Sequence, residues 1–318
     1  MTSVNLPSDS AGNTVTAPET QTDAVAAPSK KSQHEVLYFA LRSKKFIFAV
    51  AVLGFLVLLA IFGPIIDSND PLAQTLGVNT PPSTDPGYWF GTTTFGEDVF
   101  AQFVNGLRAT FFVGLLGGGI ASLIGMSIGF IAGYKGGWVD ELLNMVTNVF
   151  LVIPTLALLL VISSYLQRSW PEARGVFFES IFVGVTACPW AARAIRAQTF
   201  SLRSRDFIDL AKLSGRRGLK IIVFEIAPNM SSYLMLTFIL LFGNAILIAA
   251  SLDFIGLGPT SGMSLGLMMF NAVSWAALLL GTWWWFVPPG LGIMATVGAL
   301  YVMNVGLDEI FNPKLREL

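Results

Sequence analysis

The residues best suited to chemistry lie in one charged, half-polar segment, residues 205–215, between two apolar runs. Within it, charged side chains such as Asp209 and Lys212 alternate with apolar ones such as Phe207 and Leu210. The charged groups can pair with groups of opposite sign, and the apolar ones can be buried by a second surface. This combination predicts recognition of a soluble partner rather than the making or breaking of bonds.

The counts of reactive residues argue against catalysis and metal binding. The chain has one histidine, His34, and one cysteine, Cys188. A zinc site of the HExxH type needs two histidines, and a disulfide framework needs paired cysteines. No phosphate loop of the Walker type occurs, and a net charge of −1 provides no basic field for nucleic acid. We therefore expect no catalytic residue, no metal and no cofactor bound directly by this chain.

The elements that position the segment are predicted to be membrane helices. Hydrophobic residues make up 53% of the 318 residues and charged residues 12%, whereas soluble domains carry about 25% charged residues. A spanning helix needs roughly 20 apolar residues. Six stretches qualify as candidate spans: residues 46–66, 110–134, 143–166, 176–197, 231–255 and 283–306. The predicted fold class is therefore an all-α, polytopic membrane protein with about six transmembrane helices.

Some apolar stretches leave alternatives open. Residues 265–280 follow a Gly/Pro/Ser-rich break and favour a partly re-entrant or interfacial helix over a seventh span. Pro154 and Pro189 fall inside two candidate spans and can kink them. The tryptophans at 283–285 fit an aromatic belt. Glycines spaced by four, at 125, 129 and 133, favour close helix packing within one subunit.

Charge and composition divide the chain into three parts. Residues 1–32 are polar and small and predict a disordered extension, and residues 33–45 predict a short amphipathic helix. The transmembrane domain covers 46–318. All but three of the 19 basic residues, Arg108, Arg168 and Arg174, fall in pieces that share one side of a six-span topology. The positive-inside rule then places both termini and the loop 203–228 in the cytoplasm.

The loop itself predicts two helices separated by a turn. Ser204 or Asp206 can cap the first helix, and Gly215 permits a sharp turn at its end. A second amphipathic helix follows over 219–226. Pro228 then restricts the backbone of the residue that precedes this proline. An ordinary cytoplasmic loop with positive-inside charges is the alternative interpretation from the residues alone.

The loop also resembles a known motif. Asp209, Ala211 and Gly215, then nine residues, then Glu225-Ile226-Ala227-Pro228, resemble the EAA loop of bacterial ABC importer permeases. The family pattern is Glu-Ala-Ala, three residues, Gly, nine residues and an Ile-x-Leu-Pro-like end. Asp209 and Leu210 depart from the first two positions and Ala227 from a later one. The spacing is fully kept.

Further segments resemble the C-type subunit of the dipeptide/oligopeptide (and nickel) permease family. They occur in the family order and cover the chain from about residue 43 to its end. The segments are Tyr88–Val99 with Glu97 in place of the usual Arg, Gly136–Glu141, Trp190–Arg196, Ser251–Pro259, Trp283–Gly290 and Asn312–Arg316.

This resemblance implies half of a translocation pathway in the bacterial cytoplasmic membrane. It implies four kinds of partner: a homologous B-type permease subunit, two ATP-binding subunits that hold ATP, an extracellular substrate-binding protein and lipid. It also implies that ATPase coupling falls to seven loop residues: Arg205, Phe207, Asp209, Leu210, Ala211, Gly215 and Pro228. The cargo implied is di- or oligopeptides, with oligosaccharides and metal chelates as alternatives.

A second candidate site lies where the fifth span ends. Gly256, Gly258 and Pro259 should break the helix, and non-helical backbone in a membrane is tolerated where it lines protein or water. Asp253, Phe254, Gly256 and Gly258 are therefore predicted pathway or gate residues. Asp253 is expected either to meet a peptide amine or simply to be solvated.

Two other classes of protein fit the composition less well. A stand-alone secondary transporter would need intramembrane ionisable residues and usually internal repeats, and the spans are expected to hold almost no such residues. An intramembrane enzyme would need facing carboxylates or a Ser/His pair, which the sequence does not indicate.

Overall fold

The computed structural model describes residues 41–74, 76–85, 88–170, 175–259 and 262–311. The predicted extension 1–32, most of the segment 33–45 and the tail 312–316 lie outside these residues. Over the described part the chain is all-α, as predicted, and an isolated bridge joins Thr92 to Asp98.

The described helices follow one another with short connections. In chain order they are α1 Lys44–Ile66, α2 Val99–Lys135, α3 Gly137–Val152, α4 Thr155–Ser169, α5 Val176–Arg203, α6 Asp206–Leu213, α7 Gly218–Ile221, π1 Ile222–Ile226, α8 Ala227–Asn229, α9 Ser231–Leu252, π2 Asp253–Leu257, α10 Leu265–Ser274, α11 Ala277–Leu280 and α12 Trp283–Phe311.

Four of these elements are long and apolar enough to cross a membrane: α1, α2, α9 with π2, and α12. The predicted third span is not one kinked helix. It breaks at Pro154 into α3 and α4, whose axes differ by 82°, because a proline ring clashes with the preceding turn and lacks an N–H donor. Counted as one broken span, the pair brings the total to five.

The predicted fourth span, α5, is one continuous helix of 28 residues despite Pro189. At 1.5 Å per residue it is about 42 Å long, but it carries Glu179, Arg193 and Arg196 and falls outside the strongly apolar set. Length permits α5 to cross a membrane, so the count of six spans stays a prediction.

Glycines let α2 and α5 lie side by side. A Cβ added at Gly125 would lie 2.6 Å from the Ala191 Cβ, and one added at Gly129 would lie 2.8 Å from the Ala192 carbonyl oxygen. Side chains at these positions would therefore push the helices apart. The predicted role of this stripe in packing within the subunit is confirmed.

The aromatic belt predicted for the tryptophans at 283–285 holds only in part. Helix α10 has only 10 residues, too short to span alone. Of the three consecutive tryptophans, Trp283 is exposed, whereas Trp285 is fully buried and the Trp284 Nε1–H donates to the Thr92 carbonyl at 3.1 Å. The expected aromatic belt therefore fits Trp283, while the other two rings pack inside the chain.

Candidate functional site

The loop between α5 and α9 forms a short helix that ends in a well-defined turn. Helix α6 starts after Arg205, whose side chain makes no cap hydrogen bond. The prediction that Ser204 or Asp206 caps this helix was therefore wrong. At its end, Arg216 N–H donates to the Ala211 carbonyl and Gly215 N–H to the Lys212 carbonyl, at 3.2 and 2.9 Å. These two bonds form a Schellman motif. Gly215 has φ +71°, the left-handed conformation that the turn requires.

The apolar residues of α6 divide between two faces. Ile208 and Ala211 are buried and pack with Ile221, Ile226 and residues of α5 in one hydrophobic cluster. Leu210 and Leu213 point away, with 64% and 85% of their surface exposed. The apolar residues implied in ATPase coupling therefore differ in exposure: Phe207 is half-buried, Leu210 is exposed, and Ala211 is covered by its own chain.

Charged side chains of the loop pair locally. The Lys212 ammonium lies 2.8 Å from the Asp209 carboxylate one turn earlier, and Arg216 pairs with Glu225 across the turn. The Arg203 guanidinium donates to the Tyr134 carbonyl at 3.1 Å. Such exposed pairs contribute about 0–1 kcal/mol each, so they orient the loop more than they stabilise it.

Pro228 is the second residue of α8, which continues directly from π1. The Ala227 N–H donates to the Ile222 carbonyl, five residues back, which widens the turn into π1. Because proline has no N–H, Pro228 cannot continue the α-helical ladder, and the widened turn accommodates its ring. Helix α9 starts three residues later.

The loop is anchored to the bundle through α5. The Arg196 guanidinium makes two contacts with the Asp140 carboxylate of α3, one of them at 2.6 Å, and Arg193 donates to the Asn148 amide oxygen. A bidentate arginine–carboxylate pair fixes geometry as well as charge. A force on α6 would therefore reach α3 as well as α5.

The predicted gate does break its helix. Gly256 has φ +87° inside π2, and a Cβ there would lie 2.7 Å from the Phe270 ring. Phe254 is exposed, and Gly258 lies against the Asp253 side chain.

The expectation that Asp253 is simply solvated was wrong. It is only 2% exposed, and the Ser264 hydroxyl donates to its Oδ2. Ser264 also caps α10, accepting from the Leu267 N–H at 3.1 Å. The gate acid is thus part of the packed interior.

The structure places a second acid beside Asp253 that sequence reasoning missed. Glu179, in the first turn of α5, is 8% exposed, and its carboxyl group faces that of Asp253. The expectation that no carboxylates face each other was wrong. The two residues are 74 positions apart, and the only signal in the sequence was an acid within an otherwise apolar run.

A polar stripe on α3 was also missed. Glu141, Asn144 and Asn148 recur at helical spacing and line an open groove together with Val149 and Val152. Within the described part of the chain, no cluster of three or more His, Cys, Asp or Glu side chains is arranged to hold a metal ion.

The chain is similar to membrane transport proteins over most of its length. The model of the family described as "binding-protein-dependent transport system inner membrane component" matches residues 125–317. The dipeptide transport system permease protein DppC of Alkalihalophilus pseudofirmus is 31% identical over 276 residues, which cover 86% of this chain and 88% of that protein. The chain belongs to this family of inner membrane transport components.

Other members show the same extent of similarity. Bacillus subtilis DppC is 29% identical over 93% of this chain and 90% of its own length, and the oligopeptide transport system permease protein OppC of the same organism is 28% identical over 84% of each. This permease is therefore a multi-pass protein of the bacterial cytoplasmic membrane, and its family is one of transport components rather than catalytic subunits. The matched region includes α6, Gly215 and the residues of the predicted gate.

Proposed function

We propose that this permease forms half of the membrane pathway of an ATP-driven importer of di- or oligopeptides, and that α6 docks on a separate ATPase subunit. One observation supports the docking most directly: two leucines of α6 are exposed on a helix whose opposite face is buried in its own chain. The relatives named as dipeptide and oligopeptide permeases support the cargo.

The geometry suits a lever. Ile208 and Ala211 fix α6 to the cluster that contains α5, π1 and the start of α9. Because packed interiors are close to incompressible, a displacement of α6 would move its neighbours rather than be absorbed. The Schellman turn at Gly215 keeps α6 at a set angle to the following helix.

The remaining parts of the assembly follow from this role. A homologous B-type subunit would complete the pathway, two ATP-binding subunits would hydrolyse ATP, and an extracellular binding protein would deliver the cargo. ATP would act only through differences in contact between two states of the permease.

Substitution of an exposed leucine tests the docking. Leu210→Asp replaces an apolar contact by a charge, and burying a leucine is worth about 1.5–3 kcal/mol. We expect loss of ATPase copurification and a fall in peptide uptake of more than about tenfold, at unchanged expression and melting temperature. Leu219→Asp is the matched control, because Leu219 is equally exposed but lies on α7. Retention of both ATPase and uptake by Leu210→Asp would refute the docking.

The cargo is tested separately from the docking. The cognate binding protein would be titrated with a dipeptide, a longer peptide, an oligosaccharide and a nickel chelate. Binding of peptides alone supports the proposed substrate class, and capture of the sugar or chelate instead would replace that class without affecting the role of α6.

A further inference from the structure

Two acidic side chains join α5 and α9 at the end of the bundle opposite the loop. Glu179 lies in the first turn of α5, and Asp253 follows the last residue of α9. The loop that contains α6 connects the other ends of the same two helices. Helices α5 and α9 therefore form a hairpin, with the loop at one end and the acid pair, Glu179 and Asp253, at the other.

The acid pair has too few hydrogen-bond donors for two charges. The Ser264 hydroxyl donates to one Asp253 oxygen. Among the described residues, both Glu179 oxygens and the Asp253 Oδ1 are buried without a hydrogen-bond partner. A buried carboxylate without donors or a counter-charge is strongly disfavoured.

The surroundings of the acid pair supply no positive charge. Val183, Ala249 and Leu252 pack there as part of one apolar cluster, with Val176 and Leu257 against them. Within the described ranges, the charged group that acts on Glu179 is Asp253, and no lysine or arginine forms an ion pair with either acid. Arg108 on the neighbouring α2 is occupied by the Ala60 and Ile61 carbonyls.

Adjacent carboxylates in such surroundings cannot both ionise, because each disfavours the charge of the other and burial disfavours both. A proton between them would give one oxygen a donor and remove the repulsion. A divalent metal ion is a poorer fit, since calcium and magnesium need about six oxygen ligands and no third acidic or histidine ligand joins the pair among the described residues.

We propose that Glu179 and Asp253 form a proton-binding site, in which one proton shared by the two carboxyl groups holds α5 and α9 together at the end opposite the loop. Loss of that proton leaves two facing negative charges and favours separation of the helices there. Asp253 belongs to π2, the predicted gate element, and Glu179 belongs to α5, so the shared proton would hold π2 against α5. The proposal rests on the fold alone and does not require α6 to dock on an ATPase.

Infrared spectroscopy of the purified, reconstituted permease tests the site directly. Measurement at about pH 8 excludes ordinary acids, which are ionised there. We expect the absorption of a protonated carboxyl group in the unmodified protein, and its loss in the Glu179→Gln/Asp253→Asn double variant. Either single variant should remove or shift the band, because each alters one partner of the shared proton. Asp98→Asn is the control and should leave the band unchanged.

Three results would overturn the proposal. One is the lack of any protonated-carboxyl band that depends on these two residues. Another is a band that responds to one substitution but ignores the other, which would mean a single buried acid. A third is conversion of the band to that of a carboxylate on addition of sodium, potassium or calcium ions at fixed pH, which would make the pair a metal-ion site.

The pH dependence of the unmodified protein provides a test that needs no variant to fold. The shared proton stabilises the folded state when bound, so its contribution is present at low pH and lost as pH rises through the deprotonation of the pair. The melting temperature should therefore fall as pH rises from about 4, where ordinary carboxyl groups ionise in the unfolded chain, while the band persists until the pair itself loses its proton. A melting temperature that stays level over the pH range in which the band persists would argue against the stabilising role.

Discussion

The ionisable groups at the two ends of the α5–α9 hairpin lie in opposite environments. At the loop end, charges are numerous, exposed and paired locally, as between Lys212 and Asp209. At the other end, two acidic groups are buried together against apolar side chains. Exposed pairs contribute little to stability because water screens them, whereas buried like charges change protonation or force movement. The loop end is thus suited to reversible contact with a partner, and the acid end to a two-state packing.

The two ends are linked by the rigidity of α5. The helix runs unbroken from Glu179 to Arg203 and packs along the glycines of α2. If α5 did not behave as one body, a change at one end could leave the other end unaffected.

Enlarging Gly129 should disrupt the link itself. A Cβ there would already lie 2.8 Å from the Ala192 carbonyl and 2.9 Å from the Ile195 Cβ, so Gly129→Leu must displace α5. Overpacking costs about 1–3 kcal/mol and occasionally more. We expect a lower melting temperature and loss of uptake, measured on the reconstituted transporter.

Gly119→Leu is the matched control for this change. Gly119 is on the same helix, but a Cβ there would meet nothing within 4 Å, so the substitution should be tolerated. Equal damage from both variants would show that α2 tolerates no leucine at either position and would remove the support for close α2–α5 packing.

Replacing Gly215 should act on the loop end alone. Gly215 has open space around it but a positive φ, which costs a residue with a Cβ about 1–2 kcal/mol. Gly215→Val should therefore redirect the turn after α6 and abolish uptake, while the protein still inserts in the membrane. Asparagine tolerates this conformation, so Gly215→Asn should retain most of the uptake. Normal uptake by the valine variant would contradict a role for the turn angle in coupling.

Asp98 offers a smaller and graded test, at the start of α2. Burial is the largest of the effects that raise its pKa, to about 6, although it accepts hydrogen bonds from Phe100 N–H and Asn69. Because the pKa is higher in the folded state than in the unfolded one, the folded protein binds more protons between the two values. Its contribution to stability therefore falls as pH rises from about 4 to about 6.

Asp98→Asn keeps the helix cap and cannot ionise. We expect its melting temperature, relative to the unmodified protein, to increase as pH rises through that window and to stay level above it. If the difference in melting temperature between the two proteins is the same at every pH, Asp98 titrates normally. Burial alone would then not explain why acids in this part of the molecule keep their protons.

Much of this molecule could be predicted from local sequence. Apolar runs of about 20 residues predicted four spans that lie within long helices of the structure, because length and hydropathy are properties of each segment by itself. Helix α2, however, begins at Val99 rather than at residue 110. The turn at Gly215 and the break at Gly256 followed from the conformational freedom of glycine. The effect of proline was less predictable: Pro154 breaks its helix, whereas Pro189 is accommodated in an unbroken one.

Local sequence was therefore enough to predict four long apolar helices and the place of the loop with its two short helical parts, but not the break of one span into α3 and α4. The tertiary structure decided which face of α6 is free, since Ala211 and Leu210 are neighbours in the sequence but lie on buried and exposed sides. The tertiary structure also places Glu179 next to Asp253. A contact between residues so far apart in the sequence depends on how whole helices pack against one another. The close approach of α5 to α2, which glycines permit, and the return of the chain through the loop to α9 set that arrangement.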